Sequence, residues 1–262
     1  MSETLFVEER RRVILDRLKQ NGRVSVKALS DEMQVSAVTI RQDLRVLEED
    51  GLLERTYGGA VRKTARQTSA LPEPPFDIRN MENLQEKTGI AAVAARMVRE
   101  GDAVALDAST TAYALVPFLQ KYKKLTIITN SLMIAQSFPD NPGIEVLIPG
   151  GRLRKDSMSL VGRPDGLPNI NLNIGFFGAR GISLHSGMSD TDSEEVAMKR
   201  AMIVQCISTV LMVDSTKWGQ VAPYTVMSSS QLQHIITSNR APKDIVALFR
   251  QQKIRVDLTD LD

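Results

Sequence analysis

Apolar residues at helical spacing alternate with turn signals over the first fifty residues. Ile14 and Leu18 belong to an apolar stripe that predicts a helix within 7–20, and Asn21-Gly22 ends it. Ser25 is a good N-cap for a second helix, whose apolar positions turn to the same core. A tight connection then leads into a third helix.

The third predicted helix begins after Ser36 and has two different faces. Ile40, Leu44 and Leu47 follow at i, i+4 and i+7 and form the face for the core. Arginine, amide and hydroxyl groups on the other face are those that contact base edges and phosphates in DNA. An ordinary solvated helix carries similar charges, so both interpretations are open at this point. The far face and its flanks hold Val38, Thr39, Arg41, Gln42 and Arg45.

Two short strands, 52–55 and 60–62, are predicted on either side of Gly58-Gly59, a two-residue turn signal. Helix, helix, tight turn, helix and β-hairpin is the order of a winged helix-turn-helix, whose third helix enters the major groove. The hairpin is then a wing that contacts phosphates, although a solubilising hairpin with an incidental arginine is the alternative. The predicted DNA-binding residues are Ser36, Thr39, Arg41, Gln42, Arg45, Arg55, Tyr57, Gly58 and Gly59.

Residues 9–61 resemble the DNA-binding domain of DeoR-family bacterial transcription regulators. The resemblance rests on the run from Val35 to Leu44, on Leu47-Glu48 and Gly51, and on the run from Tyr57 to Ala60. The family commonly has a second arginine where this chain has Gln42. Glutamine bonds adenine where arginine prefers guanine or phosphate, so the DNA sequence that is bound is expected to differ.

Prolines and the lack of any apolar period set residues 62–76 apart as an extended linker. The expected domains are therefore 1–61 for DNA binding and 77–262 for effector binding and oligomerisation. A helix is predicted over about 80–99, after which strands and helices alternate, as in an α/β layer sandwich with a largely parallel sheet. Expected strands are 103–106, 125–128, 144–148, 174–177, 209–213, 234–236 and 254–256, with further helices at 193–205 and 243–251.

Three of the predicted strands end in small polar or glycine-rich loops, and ligands of open α/β sheets bind beyond the carboxyl ends of strands. Such residues at a helix start are ordinary N-caps when taken one loop at a time. Their convergence with an arginine and a lysine favours a site for a phosphorylated small molecule. The predicted effector-binding residues are Asp107, Ser109, Thr110, Thr111, Thr129, Asn130, Ser131, Gly150, Gly151, Arg152 and Lys217.

The second half also resembles the sensor domain of the DeoR family. The resemblance rests on Glu86-Lys87, the runs 107–111 and 129–131, Gly150-Gly151, and the run 214–217. That sensor domain is similar in fold to ribose-5-phosphate isomerase, so the resemblance implies an effector of sugar-phosphate type without identifying it. Over both halves the resemblance extends across 9–257.

Composition adds limits to this picture. The chain has 262 residues and a net charge of +2; residues 1–66 hold 13 basic and 11 acidic side chains, and the rest holds 20 of each. The small positive excess therefore lies in the segment expected to bind an anionic partner. One cysteine, Cys206, excludes an internal disulfide and is expected to be a buried thiol in a cytoplasmic protein. No signal peptide, membrane span, zinc-type Cys/His spacing or cofactor is expected.

His185 and the acidic residues of 190–195 allow a second interpretation. They could supply an acid and a base in an isomerase or deaminase, or form a polar loop and the first turn of a helix capped by Asp192. Trp218 and His234 are expected in the core or on the surface. The favoured function is a sugar-phosphate-controlled repressor of a sugar-catabolism operon, with double-stranded operator DNA as partner and at least a dimer. The alternative is an active sugar-phosphate enzyme with an added nucleic-acid-binding domain.

Overall fold

The structure is a computed structural model that describes residues 7–49, 53–56, 58–62, 74–162 and 164–261. Contacts divide the chain into two compact units, Met1–Arg66 and Gln67–Asp262. Gly51, which belongs to the family resemblance, and most of the predicted linker lie outside the described residues. No described helix is long and apolar enough to cross a membrane.

The first unit has the predicted order of helices and hairpin strands, with one additional strand. Its helices are α1 Val7–Asn21, α2 Val26–Met33 and α3 Ala37–Glu49. Its strands are β1 Arg23–Ser25, β2 Leu53–Thr56 and β3 Gly59–Arg62. The hairpin strand β3 pairs antiparallel with β2 on one side and with β1 on the other. The added strand was not predicted because three residues are too few to show a periodic pattern.

The N-cap predicted at Ser25 is confirmed, and Ser36 caps α3 in the same way. Ser25 accepts a hydrogen bond from the amide of Ala28 at 3.2 Å, and Ser36 accepts one from the amide of Thr39 at 3.1 Å. Each cap satisfies an amide that has no partner inside its own helix. The helices bury a common core with the wing, formed by Ile14, Leu18, Val26, Leu29, Met33, Ile40, Leu44, Leu47, Leu53 and Ala60.

A buried ion pair joins α3 to α1. Asp43 lies on the core side of α3, where its side chain is 3% exposed, and its two carboxylate oxygens accept from Arg10 Nε at 2.5 Å and Arg11 Nε at 3.2 Å. A buried carboxylate is stable only when it is paired and hydrogen-bonded. The pair therefore fixes the rotation of α3 about its axis, and with it the face that α3 exposes.

The second unit is an α/β sandwich. Its main strands are β4 Ala103–Leu106, β5 Leu125–Thr129, β6 Ile144–Leu147, β9 Leu172–Phe177, β12 Cys206–Met212, β14 His234–Ser238 and β15 Arg255–Thr259. Its helices are α4 Phe76–Met81, α5 Leu84–Ala95, α6 Thr110–Tyr113, α7 Val116–Leu119, α8 Leu132–Ala135, α9 Ser193–Gln205 and α10 Lys243–Gln251. Two smaller sheets hold β7 Arg152–Arg154 with β8 Ser159–Val161, and β10 Gly181–Ser183, β11 Gly187–Asp190 and β13 Tyr224–Met227.

The main sheet has the order β15-β14-β12-β9-β4-β5-β6, and each neighbouring pair is parallel. Alternate side chains of its strands enter two separate apolar cores, with α5 to α8 on one face and α9 and α10 on the other. Burial on both faces explains why the strands are almost continuous apolar runs. The predicted α/β class with a parallel sheet is confirmed.

The prediction of one helix over 80–99 is wrong in that the segment is broken. Helix α4 ends at Met81, and Asn83 adopts the left-handed conformation with φ of 51° before α5 begins. Asparagine tolerates this conformation better than most residues, which permits a sharp change of direction. The break lets the short helix α4 run in a different direction from α5, and Phe76 on α4 makes an edge-to-face contact with Tyr113 at 5.3 Å between ring centroids.

Chain order reverses in the middle of the main sheet. From β4 the chain moves outward through β5 to the edge strand β6, and later returns to β9 on the other side of β4. The carboxyl ends of β4 and β9 therefore lie side by side at the point where the order of strands in the sheet reverses. Ligands bind at this point in open α/β sheets. Gly178, just after β9, is needed there: a Cβ on it would lie 2.5 Å from Ser109 Cβ.

Candidate functional site

The exposed face of α3 is a continuous stripe. Val38, Arg41, Gln42 and Arg45 are all exposed and follow at i, i+3, i+4 and i+7. This is the spacing of one helix face, opposite the face that holds Leu44 in the core. Three of the four stripe residues are long polar side chains able to contact bases and phosphates.

Ser36 and Thr39 lie at the beginning of α3 beside this stripe. Their hydroxyls are 2.9 Å apart and hydrogen-bonded, and the Ser36 hydroxyl is also the N-cap. Ser36 is exposed and Thr39 is partly buried. The two predicted contacts are thus brought to the amino end of the helix, where the amides of the first turn favour an anion.

The wing residues have different surroundings. Arg55 is exposed, its amide donates to Glu48 Oε1 at 3.0 Å, and its guanidinium lies 3.7 Å from Glu48 Oε2. Gly58 is exposed with φ of 90°, while Gly59 is buried against β1, where a Cβ would lie 2.0 Å from the carbonyl oxygen of Val24. Gly59 is therefore explained by the close approach of two strands. Tyr57 lies outside the described residues.

A polar cleft opens at the carboxyl ends of the central strands in the second unit. Loops after β4, β5, β9 and β12 contribute to it, together with α4, α5, α9 and β11. Its described lining consists of Arg79, Glu82, Lys87, Ala108, Ser109, Thr110, Thr111, Asn130, Gly178, Ala179, Arg180, Asp190, Glu195, Lys199, Asp214 and Lys217. Five of these are basic and four acidic, so the cleft is suited to a charged, hydroxyl-rich molecule.

Lys199 forms the buried centre of this cleft. Its ammonium donates to Asp190 Oδ2 at 2.7 Å and to the carbonyl of Gly178 at 2.8 Å, and it lies 2.9 Å from Asp107 Oδ2. Burial lowers the pKa of Lys199, but the two adjacent carboxylates outweigh it and hold the pKa above its ordinary value. Burial likewise raises the pKa of Asp190, and the ammonium of Lys199 brings it below the ordinary value. Lys199 and Asp190 are therefore both ionised at neutral pH.

Asp107 has a structural task in this arrangement. Its carboxylate accepts from the amide of Gly178 at 2.9 Å and from the amide and hydroxyl of Ser109. Asp107 is 1% exposed and is not among the lining residues. It joins the loops after β4 and β9 and orients Ser109, which caps α6 and does line the cleft together with Thr110 and Thr111.

The helices next to the linker bring two further cations to the cleft. Lys87, on α5, donates to the carbonyl of Arg79, and burial lowers its pKa to about 8. Arg79, on α4, also donates from Nε to the carbonyl of Pro74 at 2.9 Å. Burial is the main cause that lowers the pKa of Arg79 and of Arg180, although both guanidinium groups stay charged at neutral pH. Neither Arg79 nor Arg180 was predicted as a site residue.

Asn130 follows β5 and is 3% exposed. Its amide nitrogen donates to the carbonyl of Leu160 at 3.3 Å, whereas Oδ1 has no hydrogen-bond partner among the residues that the structure describes. A buried carbonyl oxygen without a donor is costly, so a ligand hydroxyl would satisfy it. Its neighbours Thr129 and Ser131 are fully buried: Thr129 accepts from the amide of Ser131, and Ser131 caps α8.

Lys217 and the glycine-rich segment occupy different places. Lys217 lines the cleft 3.7 Å from Asp214. Gly150, Gly151 and Arg152 lead into the hairpin β7–β8 and are not among the lining residues. A Cβ on Gly151 would lie 2.5 Å from the carbonyl of Val161, and exposed Arg152 pairs with Glu194. Because β6 is an edge strand, the loop that follows it begins away from the central strands.

The acidic residues of 190–195 have structural roles, and two of them also line the cleft. Asp192 caps α9 by accepting from the amides of Glu194 and Glu195, as the helix-cap interpretation predicts. Glu195 also accepts from Ser157 and Ser159 and pairs with Arg154 at 3.3 Å, which ties the hairpin to α9. Glu195 and Asp190 nevertheless line the cleft.

The remaining residues singled out in the sequence lie apart from this cleft. His185 is exposed. Buried Trp218 donates to Thr237 at 3.0 Å, and His234 bonds Asp257 at 2.9 Å. The thiol of Cys206 is partly buried and donates to the carbonyl of Met202, and burial raises its pKa to about 12, so it stays protonated.

The missed cation Lys199 had a recognisable signal. It lies on the apolar stripe of α9, three residues after Val196 and three before Met202, both of which are buried. A charged residue at a core position requires a partner and points to a buried site. Arg79 and Lys87 had no such local signal, because they reach the cleft through the packing of α4 and α5.

Each of the two units matches a known protein family. Residues 10–66 match the DeoR-like helix-turn-helix domain, and residues 82–239 match the DeoR C-terminal sensor domain. Among solved structures, ribose 5-phosphate isomerase A from Methanocaldococcus jannaschii is 15% identical, covers 50% of this chain and 53% of its own, and has a TM-score of 0.36. A likeness at this level carries no information about a ligand.

Curated relatives match along nearly the whole chain. The HTH-type transcriptional regulator GolR of Listeria innocua is 31% identical over 98% of this chain and 100% of its own length. The HTH-type transcriptional repressor GlcR of Bacillus subtilis is 32% identical over 98% of both chains, and the glycerol-3-phosphate regulon repressor of Escherichia coli is 29% identical over 95% and 98%. These relatives are named as transcriptional regulators and repressors. The chain belongs to the DeoR family of helix-turn-helix transcriptional regulators.

Proposed function

We propose that this regulator represses a sugar-catabolism operon and that a phosphorylated sugar bound in the polar cleft controls it. The observation that carries the proposal is the cleft itself, where basic side chains and small hydroxyl residues meet at the central strand ends. Its position at the reversal of chain order supports a ligand-binding role. The relatives support the same class, since one is named a putative aga operon repressor and another a glycerol-3-phosphate regulon repressor.

Charge in the cleft favours a ligand with one anionic end. Lys87 and Lys217 provide flexible ammonium groups, and Ser109, Thr110 and Thr111 provide small hydroxyl side chains. The hydroxyl groups of a sugar need hydrogen-bond acceptors, and the carboxylates that line the cleft and Asn130 Oδ1 provide them. A bare polyanion would be repelled by those carboxylates.

The cleft is proposed to bind and not to convert its ligand. Asp107, at the start of the loop after β4, pairs with Lys199 and accepts hydrogen bonds from Gly178 and Ser109. It is too deeply buried to contact a substrate. An added domain for DNA binding and relatives that are regulators support the same conclusion. Turnover of pentose or amino-sugar phosphates, abolished by Asp107→Ala, would overturn it.

On the DNA side, the proposed mechanism is a shift between two arrangements of a homo-oligomer. Two recognition helices contact adjacent half-sites in only one arrangement, and the sugar phosphate binds the other more tightly. Ser36, Thr39, Arg41, Gln42, Arg45 and Arg55 are the proposed contacts from described side chains, with Tyr57 and the Gly58-Gly59 turn completing the wing.

A thermal-shift screen of matched pairs, each a sugar and its phosphate, tests the proposal. A ligand that binds only the folded protein raises its melting temperature. We expect at least one phosphorylated sugar to raise it, its unphosphorylated partner to have little effect, and Lys217→Met to reduce the shift. Equal shifts for sugars and their phosphates, or none with any phosphate, would overturn the assignment of the ligand class.

A further inference from the structure

Val38 is the one apolar member of the exposed stripe on α3. Its side chain is 69% exposed, while Arg41, Gln42 and Arg45 fill the other positions of the stripe. Isolated surface valines are common, so exposure alone assigns no role. The position of Val38, on the stripe of α3 that is proposed above to contact DNA, distinguishes it from other exposed apolar residues.

Val38 lies in the first turn of α3, which begins at Ala37. In helix-turn-helix proteins the amino-terminal residues of the recognition helix are those that reach base edges. The major groove presents one apolar group, the C5 methyl of thymine, and apolar side chains contact it. A β-branched side chain is held in few rotamers in a helix, so Val38 would lose little freedom on contact.

Gln42 fixes where that thymine should lie. Val38 and Gln42 are four residues apart on one face, so their Cβ atoms are about 5–6 Å apart. Successive base pairs are about 3.4 Å apart along each strand. The two side chains therefore reach bases that are one or two steps apart. Glutamine bonds adenine in the major groove through its N6 and N7 atoms.

We propose that Val38 contacts the C5 methyl group of a thymine that lies one or two base pairs from the base bound by Gln42. The proposal rests on the proposed DNA-binding role of α3 and adds a specificity-determining residue to it. Val38 discriminates thymine from cytosine by apolar contact, whereas the neighbouring arginines hold the helix on the phosphates. Each half-site then contains a thymine that Val38 recognises by its C5 methyl group and not by its hydrogen-bonding groups.

The test begins with the full-length protein and a pool of random-sequence duplexes, from which bound sequences are selected and sequenced. Each thymine of the selected duplex is then replaced by uracil, which removes only the C5 methyl. We expect one thymine per half-site at which uracil weakens binding about fourfold, the effect of losing one buried methyl group. Val38→Ser should bind the thymine and uracil duplexes equally. Val204→Ser, at an 84% exposed valine of the second unit, should keep the wild-type discrimination.

Two results would overturn the assignment of Val38. One is selective binding by the wild-type protein in which no thymine-to-uracil change lowers affinity by more than twofold. The other is the same thymine-to-uracil ratio in Val38→Ser as in the wild type. Failure to enrich any sequence would instead overturn the proposed sequence-specific DNA binding itself, so the two failures are distinguishable. Melting curves of the variants confirm that exposed substitutions leave the fold intact.

Discussion

We predict that ligand binding in the cleft depends on pH because of Lys87. Its ammonium is buried beside the carbonyl of Arg79, and burial lowers its pKa to about 8, from an ordinary value of about 10.4. A phosphate bound next to it stabilises the charged amine, so the pKa is higher in the complex than in the free protein. Binding therefore takes up a proton, and affinity falls as the pH rises through about 8.

The size of the effect follows from the protonated fraction of Lys87. An amine with a pKa of about 8 is roughly nine-tenths protonated at pH 7 and one-tenth protonated at pH 9. Affinity for a sugar phosphate should therefore fall about tenfold over this interval. The phosphate contributes little to this change, because its second pKa is about 6 and it is a dianion throughout.

Isothermal titration calorimetry at pH 7, 8 and 9 measures this dependence, with the sugar phosphate that the thermal-shift screen selects. Two buffers of different ionisation enthalpy report the proton uptake, about half a proton at pH 8. Lys87→Met should flatten the pH profile, whereas Lys217→Met should lower affinity and retain the slope. A wild-type affinity that is constant from pH 7 to 9, or an unchanged slope in Lys87→Met, would refute the reasoning.

Three further predictions concern the two units separately. Gly59→Ala should unfold the wing and abolish DNA binding, because its Cβ would lie 2.0 Å from a carbonyl oxygen of β1, whereas Gly58→Ala should cost only about 1–2 kcal/mol of stability. Urea unfolding and DNA titration compare the two variants, and equal effects of both would contradict this prediction. Lys199→Met should destabilise the protein by about 3–5 kcal/mol in urea at pH 7, since two buried carboxylates lose their cation. The loss should be smaller near pH 4, because burial raises the pKa of Asp190 once its cation is absent and lets it protonate. Gln42→Ala should relax preference at one base pair by about 1–3 kcal/mol, while Arg45→Ala should weaken all sequences and reduce the salt dependence if it contacts phosphate; unchanged base preference in Gln42→Ala would show that its role is different.

Elements whose pattern is local were predictable from the sequence. The bounds expected for the helices at 193–205 and 243–251 and for the strand at 103–106 are those of the structure. The order of the winged domain was also predictable, because capping residues and turn glycines mark each junction. Strand β1 and the hairpin β7–β8 were missed, since three-residue strands are defined by partners that lie elsewhere in the fold.

The candidate cleft was predictable only where its residues follow a strand of the main sheet. Ser109–Thr111, Asn130 and Lys217 lie within five residues of the carboxyl ends of β4, β5 and β12 and line the cleft. The structure does not place Gly150–Arg152 with them, because the order of strands, which sequence spacing does not reveal, makes β6 an edge. Arg79 belongs to a helix whose packing over the strand ends depends on the tertiary fold.

The most direct test of the account is a pair of affinities for the sugar phosphate, measured by calorimetry with the free protein and with the protein saturated by its selected DNA duplex. The account predicts that DNA weakens sugar-phosphate binding, and by the same factor as the sugar phosphate weakens DNA binding, because coupling between two sites is reciprocal. Equal sugar-phosphate affinities with and without DNA would contradict the claim that the cleft controls α3.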